Sequence, residues 1–547
     1  MKFKLSLSKK IVIVFIAFLG IAATTVDTNK YFEISKNIEI FANLYKELNT
    51  YYVDELDPGK VMKIGLDAML NALDPFTNYI SENEIESFRF VTDGKYNGVG
   101  AVFKQIGEYV TIMDPVEGSP AQKAGLISGD QVLEIDGKSV KNKNGDEVND
   151  LLRGFPGTEV ILTIKRFGTP KTLEIKLVRD EINIPNVPYH AMLNKDVGYI
   201  ALTTFTRDAG KNVADALLDL REKNPDIKGL VFDLRDNGGG LLAEGVNVTN
   251  VFVPRGELVV STKGKVEEWN RSFKTLNNPI DTDIPVVVLI NENTASASEI
   301  VSGSLQDLDR AVVMGQLSYG KGLVQNVKDI GYNAKLKLTT AKYYIPSGRC
   351  IQALQYDKGE PVHIPDSLRT PFKTRAGRTV LDGGGIKPDR AIPKKKYTEF
   401  VKNLQSQYII FDYVTEYMAK KPKIDSIADF HFNDFADFSK YTQQRKFSYK
   451  TETENTLAQL KKNSDNESYL KLIDADIKSM ESKIQLEKIK DLEANKVDLI
   501  DLLEKEIISR VYYDKGKIQI GLRNDQEVVE ALKLLSNPDE YKKILKK

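Results

Sequence analysis

Between residues 181 and 395, continuous apolar runs alternate with segments of helical character, and this pattern restricts the fold to a sheet covered on both faces. Leu230-Val231-Phe232-Asp233-Leu234 and Val286-Val287-Val288-Leu289-Ile290 have almost no polar face to offer water, and Ala311-Val312-Val313-Met314 is a third such run. A sheet with one wet face would alternate apolar and polar residues instead. The region 181–395 is therefore predicted to be α/β, with strands and helices in alternation.

The rest of the chain has a different texture. At 547 residues it exceeds one core, and about two to four domains are expected. Residues 30–92 read as mostly helical, with Ile38, Phe41, Leu44 and Leu48 at helical spacing. Asp74-Pro75 interrupts that pattern, and residues 78–86 are read as resuming it. Residues 93–180 carry short β-rich runs between turn residues, at 110–113, 131–135 and 159–164, with short helices near 120–124 and 145–152. Residues 396–547 are rich in Lys, Glu, Asp and Leu and read as a helical extension. There Leu470, Ile473, Ile477, Met480 and Ile484 form an apolar seam, read as packing on its own protein in preference to a dimerising coiled coil. The chain start has Lys2, Lys4, Lys9 and Lys10 before an apolar run from Ile11 to Leu19, then small residues. Residues 1–26 thus read as a signal peptide or an uncleaved anchor, which implies export to a periplasm or cell envelope.

Composition removes several function classes. Lys plus Arg and Asp plus Glu each number 77, so the net charge is zero and the basic footprint of a nucleic-acid binder is missing. The single cysteine, Cys350, permits neither an internal disulfide nor a Cys-rich metal cluster. The only histidines are His190, His363 and His431, and none lies in a segment with catalytic character. A hydrolase built from this chain would need another general base.

Ser296 offers a nucleophile. It follows the apolar run ending at Ile290 and precedes a helix carrying Ile300, Leu305 and Leu308, so it sits at a strand-to-helix turn. Backbone N–H groups there lack intrahelical partners and meet the positive end of the helix dipole, a setting suited to a developing oxyanion. A plain N-cap role is the bland alternative. Lys321, flanked by Gly320 and Gly322, offers the base. To accept a proton near neutrality its pKa must fall from about 10.4 to roughly 7–8, which takes about 3–5 kcal/mol and which burial can supply. Gln325 stands one turn further on and can orient the amine without adding charge. A Gly-rich segment, Asp233 to Gly240, follows a buried strand, and its glycines free the backbone to present N–H groups. Its spacing matches neither the dinucleotide nor the P-loop phosphate motif.

Together these segments resemble the C-terminal processing (tail-specific) peptidases, serine/lysine-dyad proteases with a PDZ domain. The resemblance rests on Asp233-Leu234-Arg235-Asp236-Asn237-Gly238-Gly239-Gly240, on Thr294-Ala295-Ser296-Ala297-Ser298-Glu299-Ile300, and on Tyr319-Gly320-Lys321-Gly322 with Gln325. Lys321 stands 25 positions after Ser296, a spacing like the family's. The resemblance spans roughly 35–395. It implies Ser296 as nucleophile, Lys321 as base, Gln325 as the residue positioning the lysine, and oxyanion-hole amides from Ala297 and from Gly238 or Gly239. Gly98-Val99-Gly100-Ala101 is similar to the carboxylate-binding loop of a PDZ domain, and Arg153 resembles a PDZ position that touches the protease body. The implied fold is α/β: a ClpP/crotonase-like protease core at 181–395, an inserted PDZ domain at 93–180, and helical segments at 30–92 and 396–547. The implied partners are proteins or peptides with accessible C-termini, with no metal or organic cofactor, a possible inner-membrane tether and a possible homo-oligomer. Two rivals are a PDZ scaffold that binds tails without cutting them and a crotonase-like enzyme of acyl thioesters.

Overall fold

A computed structural model describes residues 30–353, 356–357, 360–362, 365–420 and 422–546. The signal or anchor segment expected at 1–26 lies outside the described residues. The chain divides into two compact units, Met1–Ser81 with Val327–Leu338, and Glu82–Asn326 with Thr339–Lys547.

The smaller unit holds a helix over 30–51 and a second over Pro58–Asn71, started by Asp57, whose carboxylate accepts from the Lys60 amide at 3.1 Å. Residues 78–80, expected to resume a helix, instead form a strand paired antiparallel with residues 335–337. Asp74 is the reason. Its side chain accepts from the amides of Phe76 and Thr77 at 2.8 and 2.9 Å. That Asx turn satisfies the backbone locally and sends the chain out extended.

In the larger unit a six-stranded sheet is the frame. Its order is Tyr189–Met192, Val197–Ala201, Gly229–Asp233, Val286–Ile290, Val312–Gly315 and Arg390–Ala391. The first two strands are antiparallel and every later neighbour is parallel. Because side chains alternate across a strand, one continuous apolar run feeds two cores. Leu230, Phe232, Val286, Val288 and Ile290 face the helices Ala209–Lys223, Leu242–Phe252 and Ala297–Asp307, packing with Val213, Phe252 and Val301. Val231, Val287, Leu289 and Val312 face the other way and meet Val528, Ala531, Leu534 and Tyr541. The cover of that second face thus comes from the chain's last helices, Gln526–Leu535 and Pro538–Leu545, outside the range 181–395. Tyr541 fastens it, its hydroxyl donating to the Val286 carbonyl and accepting from the Val286 amide, both at 3.0 Å.

Residues 101–178 build a second sheet, in the order Ala101–Ile106, Tyr109–Pro115, Gln131–Ile135, Glu159–Lys165 and Leu173–Val178. Helices Pro120–Lys123 and Gly145–Leu152 close its core around Val110, Ile112, Leu126 and Leu162. A further helical core, with Tyr413, Phe438, Leu503 and Ile507, forms from residues 397–507. The helix Lys496–Gly521, which gives Leu503 and Ile507 to that core, also reaches the small sheet region, for Gln122 donates to the Tyr513 hydroxyl at 2.6 Å. The seam helix Leu470–Lys488 buries Ile477, but Met480 stays 51% exposed, so the seam is covered only in part. Among the described residues no helix is long and apolar enough to cross a membrane.

Leu534 is fully buried between helix and sheet. Leu534→Ala is expected to destabilise the larger unit by about 2–5 kcal/mol. Chemical denaturation would show this as a midpoint shift at unchanged m-value.

Candidate active site

Three strand ends converge on the site. The strand Gly229–Asp233 runs into the glycine loop, Val286–Ile290 leads to Ser296, and Val312–Gly315 leads to Lys321. Parallel strands end on one side of a sheet, so loops distant in sequence meet there.

Ser296 is partly exposed and stands before the helix Ala297–Asp307 with φ 58° and ψ −117°. A serine held at positive φ is strained, and such strain persists only where the surroundings over-determine it. Glu299, three residues on and fully buried, supplies much of that determination. Its Oε2 accepts from the amides of Ser296 and Lys321, at 2.8 and 2.9 Å. Its Oε1 accepts from the Gly320 amide at 2.7 Å and the Ser318 hydroxyl at 2.5 Å. Since one oxygen holds both amides, the backbone nitrogens of Ser296 and Lys321 lie no farther apart than the sum of those two bonds. Tyr343 adds a second tie. Its hydroxyl lies against the carbonyls of both Ser296 and Lys321. The Tyr319 amide donates to the Thr294 carbonyl at 3.0 Å, a third link between the two loops. Gln325 lies on the following strand, Leu323–Gly331, and its side-chain amide donates to Thr339 at 3.1 Å.

The glycine loop packs directly on this turn. Asn237 is fully buried, and its carbonyl accepts from the Ala295 amide at 3.0 Å and the Ser298 hydroxyl at 2.9 Å. Gly239 has φ 95°, and a Cβ there would come within 2.8 Å of both the Ala297 nitrogen and the Ser296 Cβ, so only glycine fits. The Gly239 amide donates to the Asn237 side chain at 2.9 Å, whereas a Cβ at Gly238 would meet open space.

The tail-binding residues named from sequence gather at the edge of the small sheet. Gly100 has φ 78° and lies so close to Ser119 that a Cβ would clash at 2.3 Å. Its carbonyl accepts from the Ser119 hydroxyl and the Val116 amide, both at 2.9 Å. Val99 and Ala101 are buried, and Gly98 ends a strand paired with Asp180. Ala101–Ile106 is an edge strand of its sheet, and the helix Gly145–Leu152 flanks it. Arg153 follows that helix and bonds Asp150 at 2.9 Å.

The sequence reading missed Glu299 and Tyr343 as site residues. For Glu299 a signal was present, since Ser-x-x-Glu before an apolar run is the capping-box spacing. For Tyr343 none was, because it reaches the site from a strand 47 residues beyond Ser296. Among the described residues, no group of three or more His, Cys, Asp or Glu side chains could hold a metal ion. Burial pushes the Cys350 thiol up, the state of an unreactive cysteine.

An α/β core, a strained serine at a strand-to-helix turn and a PDZ fold define a serine-type protease. Comparison with known proteins agrees. The chain matches the models of peptidase family S41 at residues 196–358, of a PDZ domain at 111–166, and of a "Probable PDZ-protease, C-terminal helical domain" at 400–535. It is 37% identical over 340 residues to a carboxy-terminal-processing protease of Bartonella bacilliformis, covering 62% of this chain and 78% of that one. A "Probable CtpA-like serine protease" of Staphylococcus aureus is 33% identical over 365 residues, 66% of each chain. Among solved structures, the photosystem II D1 C-terminal processing protease aligns at 27% identity and TM-score 0.35, covering 64% of this chain and 92% of its own. The chain belongs to peptidase family S41, the family of these carboxy-terminal-processing proteases.

Burial pushes the Glu299 carboxyl up to about 7, against the pull of its four donors. A carboxyl raised from 4.5 to about 7 on folding favours the folded state most below pH 4.5, and that contribution is lost as pH rises to about 7. Glu299→Gln is expected to destabilise, since an amide cannot accept from all four donors and each orphaned buried N–H costs about 1–3 kcal/mol. The wild-type advantage over Glu299→Gln should shrink between pH 5 and 7, as read by urea unfolding at several pH values. A gap independent of pH would contradict a carboxyl titrating there.

Proposed function

We propose that this chain is an exported endopeptidase that selects protein substrates by their C-terminal tails and cuts them with a Ser296/Lys321 dyad. The observation that carries the reading is the shared Glu299 oxygen, which holds the backbones of Ser296 and Lys321 side by side. In this mechanism the neutral Lys321 amine takes the Ser296 hydroxyl proton as Oγ adds to the scissile carbonyl carbon. The oxyanion rests on two backbone amides. Ala297 supplies one as the first helical residue after Ser296. Gly238 supplies the other, because the Gly239 amide is already engaged by Asn237. Collapse breaks the C–N bond, and the lysine ammonium returns its proton to the leaving amine. Water, deprotonated by the same amine, then releases the acyl group and regenerates the serine. Gln325 helps orient the lysine from its strand.

Tail selection follows from the PDZ region. A substrate's last residues add as a strand along Ala101–Ile106, and the Gly98-Val99-Gly100-Ala101 turn presents backbone N–H groups to the terminal carboxylate. Arg153, at the end of the flanking helix, touches the protease body when a tail binds. Export is supported by the basic-then-apolar pattern of residues 1–26.

Ser296→Ala is expected to lower cleavage of an unfolded, tailed protein by about a thousandfold or more. Lys321→Ala should do the same. Binding of a tail peptide to both variants, read by fluorescence anisotropy, should persist. Undiminished hydrolysis by Ser296→Ala would remove the nucleophile. Mass spectrometry of products should show cutting that depends on apolar last residues, and trimming indifferent to them would remove tail selection.

A further inference from the structure

Glu527, on the helix Gln526–Leu535 that covers the far face of the core sheet, reaches both loops of the active site. Its Oε2 pairs with Arg235, inside the glycine loop, and its Oε1 accepts from the side chain of Gln316, five residues before Lys321. The group is well enclosed, at 12% exposure for Glu527 and 17% for Arg235. Asp525 completes the grip. Its Oδ2 lies 2.8 Å from Arg235 Nη1, while its Oδ1 caps the helix through the amides of Glu527 and Val528 at 2.9 and 3.2 Å. On the other side Arg235 Nε bonds Asp233 at 2.9 Å, and Asp233 accepts from the Tyr199 hydroxyl at 2.7 Å. Gln316 also donates to the Ile392 carbonyl at 2.8 Å.

We infer that Glu527 is a positioning residue of the catalytic centre, one carboxylate of the C-terminal helical segment that sets the glycine loop and the lysine loop relative to each other. The inference rests on the proposed Ser296/Lys321 chemistry. The two loops leave strands on opposite sides of Val286–Ile290, the strand that delivers Ser296. Among the described contacts, Glu299 and Tyr343 tie the lysine loop to the serine turn, and Asn237 ties the glycine loop to it. Glu527 ties the lysine loop to the glycine loop and so closes the triangle. The helix cannot slide to relax these contacts, because Val528, Ala531 and Leu534 are packed into the sheet. Three carboxylates surround one guanidinium, so Arg235 is held cationic and its fork geometry fixes where the loop begins. A shift of about 1 Å in such a scaffold costs on the order of a hundredfold in rate.

The test uses the full chain with Glu527→Ala, Glu527→Gln, Gln316→Ala and the double variant Gln316→Ala/Glu527→Ala. Active sites are counted by labelling Ser296 with a fluorophosphonate, and kcat per labelled site and KM are measured on an internally quenched peptide with an apolar free C-terminus. The expected result for Glu527→Ala is a tenfold or greater fall in kcat per site, with KM within about twofold. Glu527→Gln should fall between, because its amide oxygen can still accept from one partner. The double variant should be no slower than Glu527→Ala alone. A purely structural role would lower the number of labelled sites and leave the rate of each unchanged. That outcome, or kcat per site within twofold of wild type in both Glu527 variants, overturns the inference. Where Glu527→Ala does not fold, Glu527→Gln decides by the same criterion. Persisting activity in Ser296→Ala would instead overturn the dyad, so the two failures are distinguishable.

Discussion

One buried carboxylate organises the centre of this molecule. Glu299 accepts from two loops at once, and each of its oxygens is shared by two donors. Desolvation makes an ionised group costly at such a site, and four donors offset that cost only in one arrangement of the backbone. The conformation of Ser296, at positive φ, is part of that arrangement. Removing the carboxylate would free the serine turn to relax and deprive the lysine loop of the contact that holds its backbone amides.

The central sheet sets the scale on which this happens. Parallel strands from 229 to 315 bring three chain segments to one edge, and side-chain alternation demands a cover on each face. The helices that follow the strands cover one face. The last helices cover the other, and in doing so place Asp525 and Glu527 beside Arg235. The C-terminal helical region is therefore bonded to the base of the site as well as to the PDZ region through Tyr513.

Much of this was legible in sequence where local chemistry speaks. The strands at 230–234, 286–290 and 311–314 announce themselves as apolar runs, and the small-sheet strands and the helices near 120 and 145 by turn residues. The Gly-rich loop and the small residues around Ser296 mark a backbone that bends sharply. The stretch 78–80 misled although Asp74-Pro75 marks a local break and Tyr79 and Ile80 favour strands, because the strand it pairs with, at 335–337, is distant in sequence. Glu299 was half legible, since its spacing from Ser296 is a capping box, yet its reach to residues 318–321 has no sequence signature.

By itself, the sequence determined the α/β class and the candidate serine and lysine, because these depend on periodicity and on short motifs read along the chain, while the PDZ-like region came from its resemblance to a known family. Only the tertiary structure decided which amide of the glycine loop is already engaged, that Tyr343 bridges the two loops, and that the chain's last helices complete the core. The last two of those facts depend on contacts between residues tens to hundreds of positions apart. The free energy of such contacts comes from burial and shared hydrogen bonds, and neither leaves a local trace in the residue order.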